Sequence, residues 1–112
     1  MIESYSFGRM KIDGVMYTSD LIVFVDHVKS DWYRVDGHKL HFEDIGEVLK
    51  AKPEILVVGK GCYGLVKILP ETEKILQTEG IKLIAEKTGK AYKIFNELSK
   101  SSGVVGAFHL TC

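Results

Sequence analysis

The sequence predicts an α/β fold of three layers, with a mixed central sheet in which an N-terminal antiparallel β-rich segment is followed by a βαβαβ unit. Two observations carry this expectation. From Ile55 onward, short β-branched runs alternate with stretches at helical spacing, the pattern of crossover units that close right-handed onto a parallel sheet. From Tyr5 to Leu40, β-rich pieces are punctuated by Asp13-Gly14 and Asp36-Gly37, both hairpin-turn dipeptides. Size is consistent with one unit: 112 residues, 46% hydrophobic, two prolines and no low-complexity stretch read as a single domain over 1–112. Such a chain exposes about 6,200 Å² folded against about 18,000 Å² unfolded, so about two-thirds is buried without staples.

Each element has its own signal. Leu21 to Val25 is apolar on both faces, which suits a central buried strand. Trp32 and Tyr33 read as a half-exposed strand or a corner. Phe42, Ile45, Val48 and Leu49 fall at helical spacing, and that pattern stops before Pro53, where the helical conformation is disfavoured. Ile55 to Val58 is the next strand. Pro70 opens a helix in whose first turn Glu71 and Glu73 favour the positive end of the dipole, and Gly80 stops it in a left-handed conformation. Ile81 to Ala85 is a strand. Thr88 is placed to N-cap a helix with the stripe Ala91, Ile94, Phe95 and Leu98, and Val104 to Leu110 closes the chain as a strand with Gly106 inside it.

Fifteen basic residues balance fifteen acidic ones, so the chain lacks the basic excess that drives nucleic-acid binding, and no nucleic-acid partner is expected. The longest apolar run has five residues, far below the roughly 20 that cross a membrane, so no membrane partner is expected either. The first residues resemble neither a secretory signal nor an Arg-rich transit peptide. With Cys62 and Cys112 fifty positions apart, the expectation is reduced thiols in the cytoplasm.

The most suggestive motif is Gly59-Lys60-Gly61-Cys62-Tyr63-Gly64, a G-x-G-x-x-G directly after a strand. Glycines there let a backbone approach a phosphate. A dinucleotide fingerprint, however, requires the glycines to open a helix, and here the β-like Leu65 to Leu69 follows before Pro70. Three readings remain: a dinucleotide site, a site for another small anion with Lys60 and Lys67 as neutralising cations, or a structural loop whose glycines permit positive φ. Cys62 invites a nucleophile reading, but no histidine lies near it in sequence and no catalytic constellation is complete, so no catalytic residue is assigned.

His38-x-x-His41 and His109-x-x-Cys112 supply ligand types for zinc. Ligands three apart on a strand point to opposite faces, so neither a metal nor any other cofactor is expected. Glu43, Asp44 and Glu47 read as the solvated acids of a first helical turn. Trp32-Tyr33-Arg34 is a candidate protein-contact segment, because Trp, Tyr and Arg are enriched at interface hot spots. The competing reading places Trp32 in the core.

Segments spread over the whole chain resemble a known family. They are Ser6-Phe7-Gly8, Ile12-Asp13-Gly14 with Tyr17-Thr18-Ser19-Asp20, Trp32 with Gly37-His38, and Lys52-Pro53-Glu54 leading to Val58-Gly59-x-Gly61. Pro70-Glu71-Thr72, Gly80-Ile81, Thr88-x-x-Ala91 with Tyr92, Asn96-x-Leu98 and the closing His109-Leu110-Thr111-Cys112 continue the match. This is similar to the small α/β family that includes the adipogenesis-associated protein and a mitochondrial complex I assembly factor, in a free-standing prokaryotic form. The resemblance implies a three-layer domain with a mixed sheet, no established catalytic residues or cofactor, and an assembly or regulatory role. The complex I role itself is not carried over, for want of a mitochondrial presequence. The expected function is therefore a non-enzymatic module that binds a protein partner. The alternative is a small anionic ligand, or a minor enzyme, using residues 59–64.

Overall fold

The computed structural model describes all residues from Met1 to Cys112, with a surface of 6092 Å². That area is close to the expectation from chain length. The chain runs β1 (Ile2–Ser6), β2 (Arg9–Ile12), β3 (Val15–Tyr17), β4 (Leu21–Val23), β5 (Val28–Lys29) and β6 (Lys39–Leu40). A 3-10 turn, Phe42–Ile45, leads into α1 (Gly46–Ala51). Then come β7 (Ile55–Lys60), β8 (Lys67–Ile68), α2 (Pro70–Thr78), β9 (Lys82–Glu86), α3 (Thr88–Leu98) and β10 (Val104–His109).

The central sheet has the order β5-β4-β10-β7-β9. Strands β10, β7 and β9 are parallel, whereas β4 runs antiparallel to β10 and β5 antiparallel to β4, so the sheet is mixed as expected. The rest of the N-terminal third forms a separate antiparallel ribbon, β1-β2-β3, whose Asp13-Gly14 turn has positive φ at both residues. Strand order reverses around β7, since β9 lies on one side and β10 on the other. Two right-handed crossovers therefore put their helices on opposite faces, and this makes the three layers.

Period-two alternation divides the core between the two faces. Leu56 and Val58 of β7, Val105 and Ala107 of β10 and Ile22 of β4 pack with Val48 of α1 and Leu76 of α2. Val57, Val104, Phe108, Leu21 and Val23 pack the other way, against Ala91 and Phe95 of α3 and against Ile2, Met10 and Ile12 of the ribbon. Gly106 sits on this second face beneath an edge-to-face pair of Phe95 and Phe108, with ring centroids 5.9 Å apart. A Cβ at Gly106 would lie 2.5 Å from Phe108 Cε2 and 2.8 Å from Phe95 Cδ1, so glycine is needed for the rings to meet. Asn96 of α3 clamps the ribbon down: Ile2 N–H donates to Asn96 Oδ1 (3.0 Å) and Asn96 Nδ2 donates to Ile2 O (2.7 Å).

Three local expectations are corrected. Asp36-Gly37 does not join two hairpin strands. It makes an isolated turn, with Asp36 bridging to Lys39, and β6 then pairs in parallel with β8. Thr88 does not cap α3, because its hydroxyl is already engaged by the sheet: it accepts from Gly61 N–H (2.9 Å) and donates to His109 O (2.7 Å). Trp32 lies on no strand. It is only 4% exposed, its backbone N–H donates to Asp20 O (2.9 Å), and its indole N–H donates to Asp44 O (2.9 Å).

Candidate functional site

In a parallel α/β sheet, ligands gather beyond the carboxyl ends of the strands, where strand order reverses. Here that edge is formed by the ends of β7, β9 and β10, and Asp20 enters it from the start of the antiparallel β4. The β4–β10 ladder pairs Val23 with Gly106, Ile22 with Ala107 and Leu21 with Phe108. One further step puts Asp20 opposite His109. Alternation also places Asp20 on the face of Ile22, and His109 on the face of Ala107, so the two side chains meet.

They meet in a hydrogen bond. His109 Nδ1–H donates to Asp20 Oδ2 (2.6 Å), Arg34 Nη1 donates to the same oxygen (2.9 Å), and Leu110 N–H donates to Oδ1 (2.8 Å). The Arg34 side chain is only 4% exposed. It lies over the Trp32 ring at 4.9 Å, and its Nη2 donates to Gly37 O (2.9 Å). Burial alone would raise the Asp20 carboxyl, but the hydrogen bonds from His109 and Leu110, the charge of His109 and the Arg34 guanidinium outweigh it. They hold the group below the usual carboxylate range. His109 Nε2 lies 3.5 Å from Thr111 Oγ1. A carboxylate that orients an imidazole is the arrangement of a general base. Here the trio ties together β4, the segment after β5 and the end of β10.

The loop after β7 lies against the same edge. Gly59 is within the strand, where a Cβ would lie 2.7 Å from Phe108 Cδ1 and 2.8 Å from Thr88 Oγ1. Gly61 (φ 98°) passes under His109 and the C-terminal carbonyls, so it needs both its φ and its lack of a side chain. Three of the loop's amides are spent internally: Gly61 N–H on Thr88 Oγ1, Cys62 N–H on Thr111 O (2.8 Å) and Gly64 N–H on Gly61 O (3.2 Å). They form ties to β10 and α3, not a phosphate cradle.

The loop's side chains face outward. Tyr63 is 63% exposed and Phe7, from the β1–β2 turn, is 53% exposed; their ring centroids are 6.5 Å apart. Leu65 is exposed beside them in sequence. Lys60, Lys67 and Lys87 flank the loop with no acidic partner, and the Lys87 stem lies against Gly64. Cys62 is half-buried against Tyr5, whose hydroxyl donates to Leu110 O (2.9 Å). Burial first, and then the Cys62 thiol, push the Tyr5 phenol up to about 12.

The structure therefore gathers Lys60, Gly61, Cys62, Tyr63 and Gly64 at one edge and buries Gly59 in the sheet beneath them. Lys67 stands on β8. The Trp32-Tyr33-Arg34 segment is split: Tyr33 is exposed, while Trp32 and Arg34 point inward, which withdraws Trp32 as a contact residue. The ring of His38 meets His109 edge-on, and His41 Nε2 sits 3.6 Å from Asp36 instead, so that pair does not converge. No three His, Cys, Asp or Glu side chains are gathered as for a metal ion.

The profile of a family described as a protein of unknown function (DUF498/DUF598) matches residues 2–109. The chain belongs to the DUF498/DUF598 family. This DUF498 chain is similar to the solved structure of a conserved hypothetical protein from Pyrococcus horikoshii OT3. Identity is 28%, the TM-score is 0.91, and 100% of this chain and 99% of that one are covered. A protein described as an outer membrane protein from Bartonella henselae is 22% identical, with a TM-score of 0.83 and coverage of 99% and 94%. A Mth938-like domain from Bordetella pertussis is 19% identical, with a TM-score of 0.69 and coverage of 97% and 84%. These last two bear on the fold alone. No helix of the DUF498 chain is long and apolar enough to cross a membrane.

Sequence reading missed Asp20 as a site residue and weighed His109 only as a zinc ligand. The available signal was a titratable residue at one end of each of two strands that are otherwise apolar. The partnership itself, 89 positions apart, depends on the β4–β10 pairing.

Proposed function

We propose that the chain is a single-domain, non-enzymatic module of the cytoplasm that binds a protein partner through the carboxyl edge of its parallel strands. The observation that carries this reading is the exposed aromatic pair Phe7 and Tyr63, held on two turns whose backbones are tied to the end of β10. Exposed aromatics on a rigid base are the usual anchors of an interface, and a contact of this kind needs no reacting group. The unpaired Lys60, Lys67 and Lys87 complement a partner surface with an apolar pocket rimmed by carboxylates. Resemblance to the adipogenesis-associated protein and the complex I assembly factor supports an assembly or regulatory role, and two free cysteines accord with a reducing compartment.

The test replaces Tyr63 with the photocrosslinker benzoylphenylalanine and, as a control on the far edge, Lys50. Each protein is irradiated in extract of the source organism. One protein crosslinked from position 63 and not from position 50 is expected. Once purified, that partner should bind Phe7→Ala or Tyr63→Ala at least about tenfold more weakly, and more weakly still as salt rises. Absence of a specific crosslink at position 63, or unchanged binding by both variants, overturns the proposal.

The unpaired lysines also favour the alternative of a small anionic ligand resting on Lys60 and Lys67. Raised melting temperature with phosphate, nucleotides or carboxylates, abolished in Lys60→Ala, would establish it.

A further inference from the structure

Strand β9 ends the central sheet, pairing with β7 on one side and with nothing on the other. Lys82 N–H donates to Glu54 O of the β7 side (3.0 Å). In a parallel ladder a residue turns both its N–H and its C=O to the same neighbour. Lys82, Ile84 and Glu86 therefore spend their backbone groups on β7, while Leu83 and Ala85 aim theirs at the open edge. Neither Leu83 nor Ala85 appears in any turn or loop backbone bond. The side chains of Leu83, Ile84 and Ala85 are only half-buried, since α3 packs chiefly over β7 and β10. This is an edge able to accept another strand.

We propose that this edge pairs with the same edge of a second copy, antiparallel about a two-fold axis through Ile84. Outward-facing Leu83 and Ala85 have to occupy the hydrogen-bonded positions, which restricts the two-fold registers to centres at 83, 84 or 85. Only the register centred on Ile84 sets Lys82 of each chain opposite Glu86 of the other. In that register Leu83 and Ala85 exchange four backbone hydrogen bonds with their counterparts. Ile84 packs on Ile84 at the centre, and two Lys–Glu pairs flank it at the close, non-hydrogen-bonded positions. The sequence Lys-Leu-Ile-Ala-Glu is thus complementary to itself when reversed. Glu86 already has Lys90 within 3.8 Å on its own helix side, and both side chains are substantially exposed, so the carboxylate remains open to a second cation. Pairing of one short strand buries little area, and the dimer is therefore a concentration-dependent one. The isologous contact closes the assembly at two copies.

Sedimentation equilibrium of the full chain over about a hundredfold range of concentration tests the pairing. The weight-average mass should climb from the 12.6 kDa of one chain towards twice that value. Lys82→Glu places glutamate against glutamate, and Glu86→Lys places lysine against lysine, so each alone should weaken association by on the order of tenfold or more. An equimolar mixture of the two single variants restores both opposite-charge pairs and should dimerise again, as should the double variant K82E/E86K. Urea midpoints of dilute samples confirm that these exposed substitutions leave the fold intact. Three results overturn the proposal: wild type monomeric throughout, a dimer indifferent to both reversals, or failure of the mixture and the double variant to associate.

Discussion

Replacing Asp20 by Asn probes the hydrogen-bonded trio of Asp20, Arg34 and His109 with almost no change of shape. The carboxylate accepts three hydrogen bonds, at 2.6 Å from His109 Nδ1, 2.8 Å from Leu110 N–H and 2.9 Å from Arg34 Nη1. The asparagine oxygen can serve one side of this arrangement, and its NH₂ then confronts the donors on the other. Removing one partner of a buried pair costs about 3–5 kcal/mol because the remaining charge is stranded. Arg34 keeps Gly37 O and the Trp32 ring, so the lower end, about 3 kcal/mol, is expected, with a fall in Tm of about 10–15 °C. Urea unfolding followed by the fluorescence of Trp32, the chain's one tryptophan and in contact with Arg34, measures this directly. The pH dependence supplies an independent check. The folded Asp20 carboxyl titrates below its unfolded value, so its contribution is present above the ordinary carboxylate range and is lost as pH falls through the folded value. The gap between wild type and D20N should therefore narrow from about pH 5 downward. Exposed Asp26 and Glu47 are held low as well, by His27 and Lys29, but they titrate alike in both proteins and cancel. A double variant, D20N/R34M, should lose less than the sum of its singles by more than about 1 kcal/mol. An Asn variant with an unchanged midpoint, or a gap constant with pH, refutes the electrostatic account.

Other expectations test neighbouring parts of the fold. Gly106→Ala forces a methyl group against Phe95 and Phe108 and should lower stability by about 1–3 kcal/mol in urea unfolding, while Gly37→Ala, with open space around it, should be nearly neutral. Thr88→Val strands Gly61 N–H and frees His109 O, so a loss of about 2–3 kcal/mol is expected, most of it recovered in Thr88→Ser. Ultraviolet titration should show one of the five tyrosines ionising only near pH 12, and Tyr5→Phe should remove that phase. Because the folded phenol lies above its unfolded value of 10.0, Tyr5 stabilises the protein fully below about pH 10 and loses that contribution as pH rises towards 12.

What was legible in the sequence follows from the range of the causes. Pro70 at the start of α2, the left-handed Gly80 after it, and the stripe Ala91, Ile94, Phe95 and Leu98 on α3 are written within a turn or two of chain, and each stands where expected. Leu21 to Val23 is buried on both faces because the sheet is covered on each side, by α1 and α2 on one and by α3 with the β1-β2-β3 ribbon on the other, as its unbroken apolar run requires. Thr88 and the Asp36-Gly37 turn misled for a shared reason. Both carry strong local preferences, and in both a long-range bond or pairing made a better partner available: His109 and Gly61 for the threonine hydroxyl, β8 for the strand after the turn. Of the two readings open for Trp32, contact residue or core, burial favours the core: its indole found a carbonyl and its ring a guanidinium inside the protein.

The candidate site was less legible for a different reason. The glycine motif was found by its spacing, but spacing cannot say where amides point, and only three-dimensional placement shows that Gly61 serves close packing under His109. Asp20 and His109 become partners only when β4 is laid antiparallel beside β10 in one register; shifting it by a single residue would turn Asp20 to the opposite face of the sheet. The same register logic governs the open edge at β9, where inward and outward backbone groups alternate and decide which residues can meet a second strand. In both places residue type supplies the chemistry and register supplies the partner. Charge swaps and double variants, which report on partners and not on residues alone, are accordingly the experiments with most power over this fold.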